Sequence, residues 1–393
     1  MIELDHVSKA FGGRPVVDDL SLTVPDGAFC VVLGPSGCGK STTLRMINRL
    51  VPFDSGVIRI AGEDVRAVPP EALRRRIGYA IQSIGLFPHW PVEENIATVP
   101  RLLGWPRARL RDRVTELLEL LRLDPESYRH KYPHQLSGGE QQRIGVARAL
   151  AADPELLLMD EPFGAVDPIT RDVLQAEIAR IHAATKKTVL FVTHDIEEAL
   201  RLASVIAILD RGRLAQWGTP LEIVERPASG FVREFIGGED SGLKLLGLRK
   251  ISERLRPGES ATGQPLPADA TLRDALATMT ERHTDRLPVV DQTGRPVGVI
   301  TLADLVRCDA PAIRRDRQPG DMGRGVLRRA AARDAGVAAW LRVGLSRGQP
   351  AGLRARQLLR AVAVACRAGA GRERRGGAHR HRPGDLRDAP GWA

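Results

Sequence analysis

The hydrophobic positions of residues 1–236 fall into short β-branched runs that are separated by longer amphipathic stretches. The runs that predict buried strands are "FCVVLG", "RIGYAIQ", "LLLMDE", "TVLFVTH" and "SVIAILDRGRLAQWG". Helical periodicity fills most of the segments between them, an alternation that is typical of a mostly parallel sheet covered by helices. The pattern therefore predicts an α/β domain over residues 1–236.

The pattern changes at three places along the chain. Over about 85–152 the strand pattern disappears, and helices such as "PRARLRDRVTELLELLRL" predict a helical subdomain inserted into the sheet domain. The charged, Gly-rich residues 237–265 are predicted to be a linker. Residues 266–307, which contain "LPVVDQTGRPVGVITLADLV", predict a small α+β unit of strand, turn, strand and helix. An irregular segment, 308–393, follows.

The irregular segment carries the positive charge of the chain. Residues 308–393 hold 19 Arg, no Lys and 7 acidic residues, so their charge is +12 within a net charge of +10. The rest of the chain is slightly acidic, and we expect no nucleic-acid partner. Two explanations of this segment stay open. One is a disordered basic tail that binds anionic lipid, and the other is a shifted reading frame near residues 308–320 of a GC-rich gene.

No segment predicts secretion or membrane insertion. The apolar runs are shorter than the roughly 18 residues that span a bilayer, and the start "MIELDHVSKAFGG" lacks the features of a signal peptide. Cys30, Cys38, Cys308 and Cys366 form no CxxC pair, which indicates a reducing compartment. We therefore expect a cytoplasmic location.

A phosphate-binding loop is predicted by "VVLGPSGCGKST", in which an apolar strand runs into G-x-x-x-x-G-K-S and then a helix. Glycines permit a tight loop whose N–H groups point at phosphates, the lysine reaches the β/γ-phosphates, and the serine hydroxyl suits Mg²⁺. We expect ATP to be bound by Gly34, Pro35, Ser36, Gly37, Cys38, Gly39, Lys40, Ser41 and Thr42.

Two further motifs add to this site. In "LLLMDEP" a buried strand ends in two acids, and beside a phosphate-binding loop Asp160 suits Mg²⁺ support while Glu161 suits orientation of the attacking water. In "LSGGEQQRIGVARAL" a helix is predicted whose first turn contains Ser137, Gly138, Gly139 and Glu140. A helix N-terminus of this kind can bind an anion, although an N-cap serine is also an ordinary way to begin a helix.

Together these motifs resemble the ABC-family ATPases across residues 1–236. The resemblance implies a P-loop NTPase fold and a homodimer, in which the 137–140 signature of one subunit closes over ATP held by its partner. It also implies roles for individual residues: Phe11 stacks on adenine, Gln82 senses Mg²⁺, Glu161 and His194 are catalytic, and Asp167 contacts the opposite subunit. Val166 stands where the family more commonly has leucine.

An ATPase of this family without membrane spans implies partner subunits. We expect transmembrane permease subunits and a solute-binding protein, with the ATPase peripheral on the cytoplasmic face of the bacterial inner membrane. The stretches "YAIQSIGLFPHWPVEENI" and "EPFGAVDPITRDVLQAEI" resemble the osmoprotectant importers for glycine betaine, choline or carnitine. Amino-acid or polyamine importers are the alternative. A soluble non-transport ABC ATPase is less favoured, because those usually carry two cassettes or a long coiled coil.

The unit at 266–307 resembles a single CBS motif through Gly298-x-x-Thr301-x-x-Asp304. Thr301 and Asp304 match positions that contact phosphate and ribose where such domains bind adenine nucleotides, and a packing module without a ligand is the alternative. Osmoprotectant importers often carry a CBS pair behind the cassette. The resemblance therefore leads to the hypothesis that this unit gates activity by ionic strength, through docking on an anionic membrane.

Overall fold

The computed structural model describes residues 1–81, 85–164, 168–238 and 240–305. The described residues divide into two compact units, the first ending at Gly238 and the second following it. Within the described ranges, no helix is both long and apolar enough to cross a membrane.

The strands of the first unit form two sheets. In chain order they are β1 (Ile2–Phe11), β2 (Arg14–Val24), β3 (Phe29–Leu33), β4 (Ser55–Ile60), β5 (Glu63–Asp64), β6 (Ile77–Ala80), β7 (Leu156–Asp160), β8 (Thr188–Thr193), β9 (Val205–Asp210) and β10 (Arg213–Gly218). Among the described residues, the larger sheet has the order β10-β9-β3-β8-β7-β6, parallel except for β10. The smaller sheet is antiparallel, with the order β2-β1-β4-β5.

Helices cover the larger sheet and fill the connection from β6 to β7. They are α1 (Lys40–Ile47), α2 (Pro70–Arg76), α3 (Val92–Ile96), α4 (Thr98–Leu102), α5 (Arg107–Leu120), α6 (Pro125–Tyr128), α7 (Gly138–Leu150), α8 (Pro168–Thr185), α9 (Ile196–Leu202), α10 (Pro220–Glu225) and α11 (Gly230–Phe235). A short 3₁₀ helix, Pro133–Gln135, precedes α7. The described residues between β6 and β7 contain helices and no strand, so the predicted helical insertion is confirmed.

The predicted parallel strands are confirmed, and burial explains why they were predictable. Every residue of β3, β7 and β8 is buried, as expected for strands covered on both faces. Alternate residues of β3 pack into two different hydrophobic cores. Phe29 and Val31 pack with the helices, whereas Cys30 and Val32 pack toward the antiparallel sheet.

The antiparallel sheet was not predicted as a separate layer. Its first strand, β1, loses register with β2 between Leu4 and Val7, and His6 within this break has a left-handed backbone with φ of 51°. A β-bulge of this kind interrupts the period-2 alternation on which strand prediction depends.

The second unit is a small α+β fold. Its elements are α12 (Ser241–Leu248), a 3₁₀ helix (Ile251–Glu253), β11 (Leu266–Pro267), α13 (Leu272–Glu281), β12 (Arg286–Val290), β13 (Pro296–Thr301) and α14 (Leu302–Leu305). β12 pairs in parallel with β11 and antiparallel with β13. Much of the predicted linker is therefore structured, since Leu246 and Ile251 are buried in the same core as Leu272 and Val289. The predicted irregular segment, 308–393, lies outside the described residues.

Candidate active site

The loop between β3 and α1 is shaped by its glycines. Gly39, which precedes α1, has φ of 101°, and a Cβ at this position would lie 2.5 Å from the carbonyl oxygen of Val16. Gly37 has φ of 80° and faces open space. Only glycine adopts such a conformation beside another strand without strain. The loop therefore has the tight conformation that the sequence predicts.

Lys40 begins α1 and is buried in the loop. Its ammonium group donates hydrogen bonds to the carbonyl oxygens of Gly34 and Pro35, at 2.8 and 2.9 Å. These bonds hold a positive charge inside the loop, at the N-terminal end of the helix, where an anion is also favoured by the helix dipole. The N-terminal end of α1 and the Lys40 ammonium group are therefore both positive, and both favour binding of an anion.

The next residue, Ser41, connects the loop to the end of β7. Its hydroxyl donates a 2.7 Å hydrogen bond to Asp160, although the two residues are 119 positions apart in the sequence. Burial raises the pKa of Asp160, against the effects of the Ser41 hydrogen bond and of the nearby charges of Arg45 and Lys40. A hydroxyl and a carboxylate side by side are the oxygen ligands that Mg²⁺ prefers.

Glu161 and His194 meet at the carboxyl ends of β7 and β8. Glu161 Oε2 lies 3.3 Å from His194 Nδ1, and the Glu161 amide donates a 2.9 Å hydrogen bond to the carbonyl of Val192. Glu161 has a left-handed backbone with φ of 43°, a conformation that costs a non-glycine residue on the order of 1–3 kcal/mol. The strained turn directs this acid to a position beside an imidazole that is itself exposed.

The turn that carries His194 is fixed by three residues outside the predicted site, Thr193, Asp195 and Glu198. Thr193 Oγ1 donates to Glu198 at 2.7 Å and accepts from the Asp195 amide at 3.0 Å, while Asp195 caps α9. Glu198 is buried, and burial raises its pKa. The Asp195-x-x-Glu198 spacing at the start of α9 is a helix-start signal from which both acids were predictable.

Phe11 is the last residue of β1. It pairs with Arg14 across the hairpin to β2, and 49% of its surface is exposed. An aromatic ring with this exposure has a free surface on which a planar base can stack.

The predicted signature residues form the start of α7. Ser137 and Glu140 make a reciprocal capping box, in which the Ser137 amide donates to Glu140 at 2.7 Å and Ser137 Oγ accepts from the Glu140 amide at 3.3 Å. The Tyr128 hydroxyl also donates to Glu140. Ser137 and Gly138 are exposed and Gly139 is buried, so the first residues of this helix are open to solvent. The predicted residues Gln82 and Asp167 lie outside the described residues.

Comparison with known proteins identifies the family. The family model described as "ABC transporter" matches residues 17–164, and the one described as "CBS domain" matches residues 265–310. The glycine betaine uptake system ATP-binding protein YehX of Escherichia coli (strain K12) is 56% identical over 306 residues, which cover 78% of this chain and 99% of that protein. The chain belongs to the ATP-binding proteins of ABC transporters.

Other ABC ATP-binding proteins agree with this assignment. The glycine betaine/carnitine/choline transport protein OpuCA of Bacillus subtilis (strain 168) is 50% identical over 74% of this chain and 76% of its own. The dimeric post-hydrolysis structure of the cassette MJ0796, bound to ADP and Pi, matches with a TM-score of 0.51 and 31% identity, over 56% of this chain and 99% of that chain. The resemblance and the fold class predicted from the sequence are confirmed.

In the second unit of this ABC protein, Thr301 and Asp304 are brought together but are already satisfied. Asp304 is only 2% exposed and accepts hydrogen bonds from the Thr301 amide at 3.0 Å and from the Thr301 hydroxyl at 2.6 Å. Arg256 donates three more bonds to its carboxylate, two at 2.8 Å and one at 3.1 Å. These contacts cap α14 and tie the 251–256 segment to it, so they account for the buried charge without a ligand.

Proposed function

We propose that this ABC ATP-binding protein hydrolyses ATP to drive import of a quaternary-amine osmoprotectant of the glycine betaine, choline or carnitine type. The observation that carries the substrate class is the 56% identity to a glycine betaine uptake protein over 306 residues. This alignment is longer than the first unit of 238 residues. It therefore also includes part of the second unit, which contains the CBS match and is called the CBS unit. The ATPase itself is supported by the Ser41–Asp160 and Glu161–His194 pairs at one edge of the sheet.

The loop from Gly34 to Thr42 binds the phosphates of ATP in this proposal. Lys40 exchanges its two carbonyl partners for phosphate oxygens, which accept stronger, charge-assisted hydrogen bonds. Phe11 stacks on the adenine ring and so holds the other end of the nucleotide.

The Mg²⁺ ion fits the donor set of Ser41 and Asp160, with Gln82 as a further ligand by resemblance. The two side chains offer hard oxygen atoms that are already adjacent. When bound, Mg²⁺ neutralises charge on the β- and γ-phosphate oxygens. Ser41 and Asp160 would hold the ion through their side-chain oxygen atoms, next to the end of β7.

Hydrolysis is assigned to Glu161 and His194. Glu161 orients a water molecule against the γ-phosphorus and accepts its proton as the new P–O bond forms and the bond to ADP breaks. His194, 3.3 Å from this carboxylate, holds it in place and donates toward a γ-phosphate oxygen. Because both groups follow adjacent parallel strands, the sheet keeps their separation fixed.

We also propose that the active form is a homodimer. The solvent-exposed start of α7, with Ser137, Gly138, Gly139 and Glu140, closes over the nucleotide that its partner holds, and Asp167 contacts the opposite subunit. This arrangement is supported by the exposure of Ser137 and Gly138 and by the dimeric state of the related cassette MJ0796. Transmembrane permease subunits and a solute-binding protein complete the importer, and the ATPase acts on the cytoplasmic face of the membrane.

The CBS unit is the regulatory part of this proposal. It senses ionic strength by docking on an anionic membrane, a contact that salt weakens by screening. The bonds that already satisfy Thr301 and Asp304 favour such a surface role over adenine-nucleotide binding.

Transport in proteoliposomes tests the proposed function. The full chain is reconstituted with its cognate permease and solute-binding protein, and uptake is scanned over labelled glycine betaine, choline, carnitine, arginine and spermidine. We expect ATP-dependent uptake of at least one quaternary amine and none of arginine or spermidine. Uptake of arginine or spermidine without any quaternary amine would overturn the assigned substrate class. Absence of ATP hydrolysis would overturn the ATPase.

A further inference from the structure

Lys9 and Asp54 form a partly buried ion pair next to Phe11. Lys9 is 9% exposed, and its ammonium nitrogen lies 2.7 Å from Asp54 Oδ1 and 5.2 Å from the centroid of the Phe11 ring. Lys9 and Phe11 both lie on β1, two residues apart, and the Lys9 ammonium group lies over the ring. The ammonium group is therefore held against the ring by the strand on one side and the carboxylate on the other.

Asp54, which directly precedes β4, also fixes the backbone next to the ring. Its Oδ2 accepts a 2.7 Å hydrogen bond from the Ala10 amide, and its own amide donates to the carbonyl of Ser8 at 2.8 Å. The hydrogen bond from Lys9 lowers the pKa of Asp54, so the carboxylate stays ionised at neutral pH. One aspartate thus holds the backbone on both sides of Lys9.

We infer that Lys9 and Asp54 are positioning residues that set the Phe11 ring for base stacking. The inference rests on the proposed role of Phe11 in binding adenine. Phe11 is half exposed at the end of a hairpin, and an unsupported side chain of this kind loses rotamer freedom when a ligand orders it. A cation over one face orders the ring beforehand and leaves the opposite face for the base, which lowers the cost of binding.

Steady-state ATPase kinetics of the full chain test this role through Lys9→Met. Because the Phe11 ring is half exposed, we expect its cation–π contact to correspond to about a two- to fivefold change in an equilibrium constant. We expect K9M to raise the KM for ATP by about that factor, with the effect on KM rather than on kcat. K9R keeps a cation at the same place and should have the KM of the parent chain. D54N should raise the KM as K9M does.

A double-variant cycle separates this inference from the proposed role of Phe11. F11A alone should raise the KM, and adding K9M to F11A should raise it no further, because Lys9 acts through the ring. Lys187→Met is the matched control, since Lys187 forms a 2.9 Å pair with Asp153 at the surface. An unchanged KM in K9M, or an equal increase with and without Phe11, would overturn the inference alone. An unchanged KM in F11A would overturn the role of Phe11 itself.

Discussion

Glu161 is the side chain on which hydrolysis depends most. Replacing it by glutamine keeps the shape and the left-handed turn but removes the proton acceptor. We expect E161Q to lose at least about 100-fold in ATP turnover, since general-base catalysis contributes roughly 10²–10⁴-fold, while equilibrium binding of ATP persists. Phosphate release and binding of a fluorescent ATP analogue measure the two effects separately.

Glu155 provides the matched control for this substitution. It lies just before β7, at the end opposite Glu161, and pairs at 3.1 Å with Arg76 on the surface. An exposed pair of this kind contributes about 0–1 kcal/mol, so E155Q should hydrolyse ATP like the parent. Retained turnover in E161Q would contradict the role assigned to Glu161.

Some residues of the site were predictable from the sequence, and others were not. Ser41 and Asp160 were predictable because each lies in a contiguous motif with its own chemistry. Lys9 and Asp54 were not, because 45 positions separate them and neither lies in a motif that indicates chemistry by itself. The contact between Lys9 and Asp54 depends on the pairing of β1 with β4, which exists only in the folded chain.

At the element scale, the segment before the CBS motif is the main difference from prediction. α12 has only eight residues, "SGLKLLGL", between glycines and charged residues, so its composition indicated a linker. Its helix is stabilised by tertiary packing of Leu246 on α13 rather than by local propensity. Strands such as β3 were predictable because burial on both faces makes the whole segment apolar.

Ile251 tests whether this segment belongs to the second unit. It is fully buried, and its amide donates a 2.9 Å hydrogen bond to the carbonyl of Ala270. I251A removes buried volume, which typically costs about 2–5 kcal/mol. Hydrogen exchange of the full chain should therefore accelerate in α13 and β12 but not in β3. Leu102→Ala, at a position that is 60% exposed, is the control. Unchanged exchange in α13 would show that the segment is only a tether.

At the scale of the whole molecule, the second unit can be removed along a boundary that the structure defines. Both cores of the first unit consist of residues below 238, so a chain ending at Gly238 keeps its own packing. A deletion from residue 266 would instead leave α12 and Ile251 without the rest of their core. The described fold of this unit ends at Leu305, so a chain ending there keeps that fold and lacks residues 306–393, which include the last five residues of the CBS match.

These two truncated chains test regulation by ionic strength. Screening shortens the Debye length from about 10 Å at 0.1 M salt to about 3 Å at 1 M, so a salt-sensitive membrane contact weakens over this range. In proteoliposomes with anionic lipid, uptake by the full chain and by residues 1–305 should change with ionic strength. Uptake by residues 1–238 should proceed without that response, because the docking unit is gone. A response that persists in 1–238 would contradict the role of the CBS unit. A response lost already in 1–305 would assign it to residues 306–393 and argue against a shifted frame there.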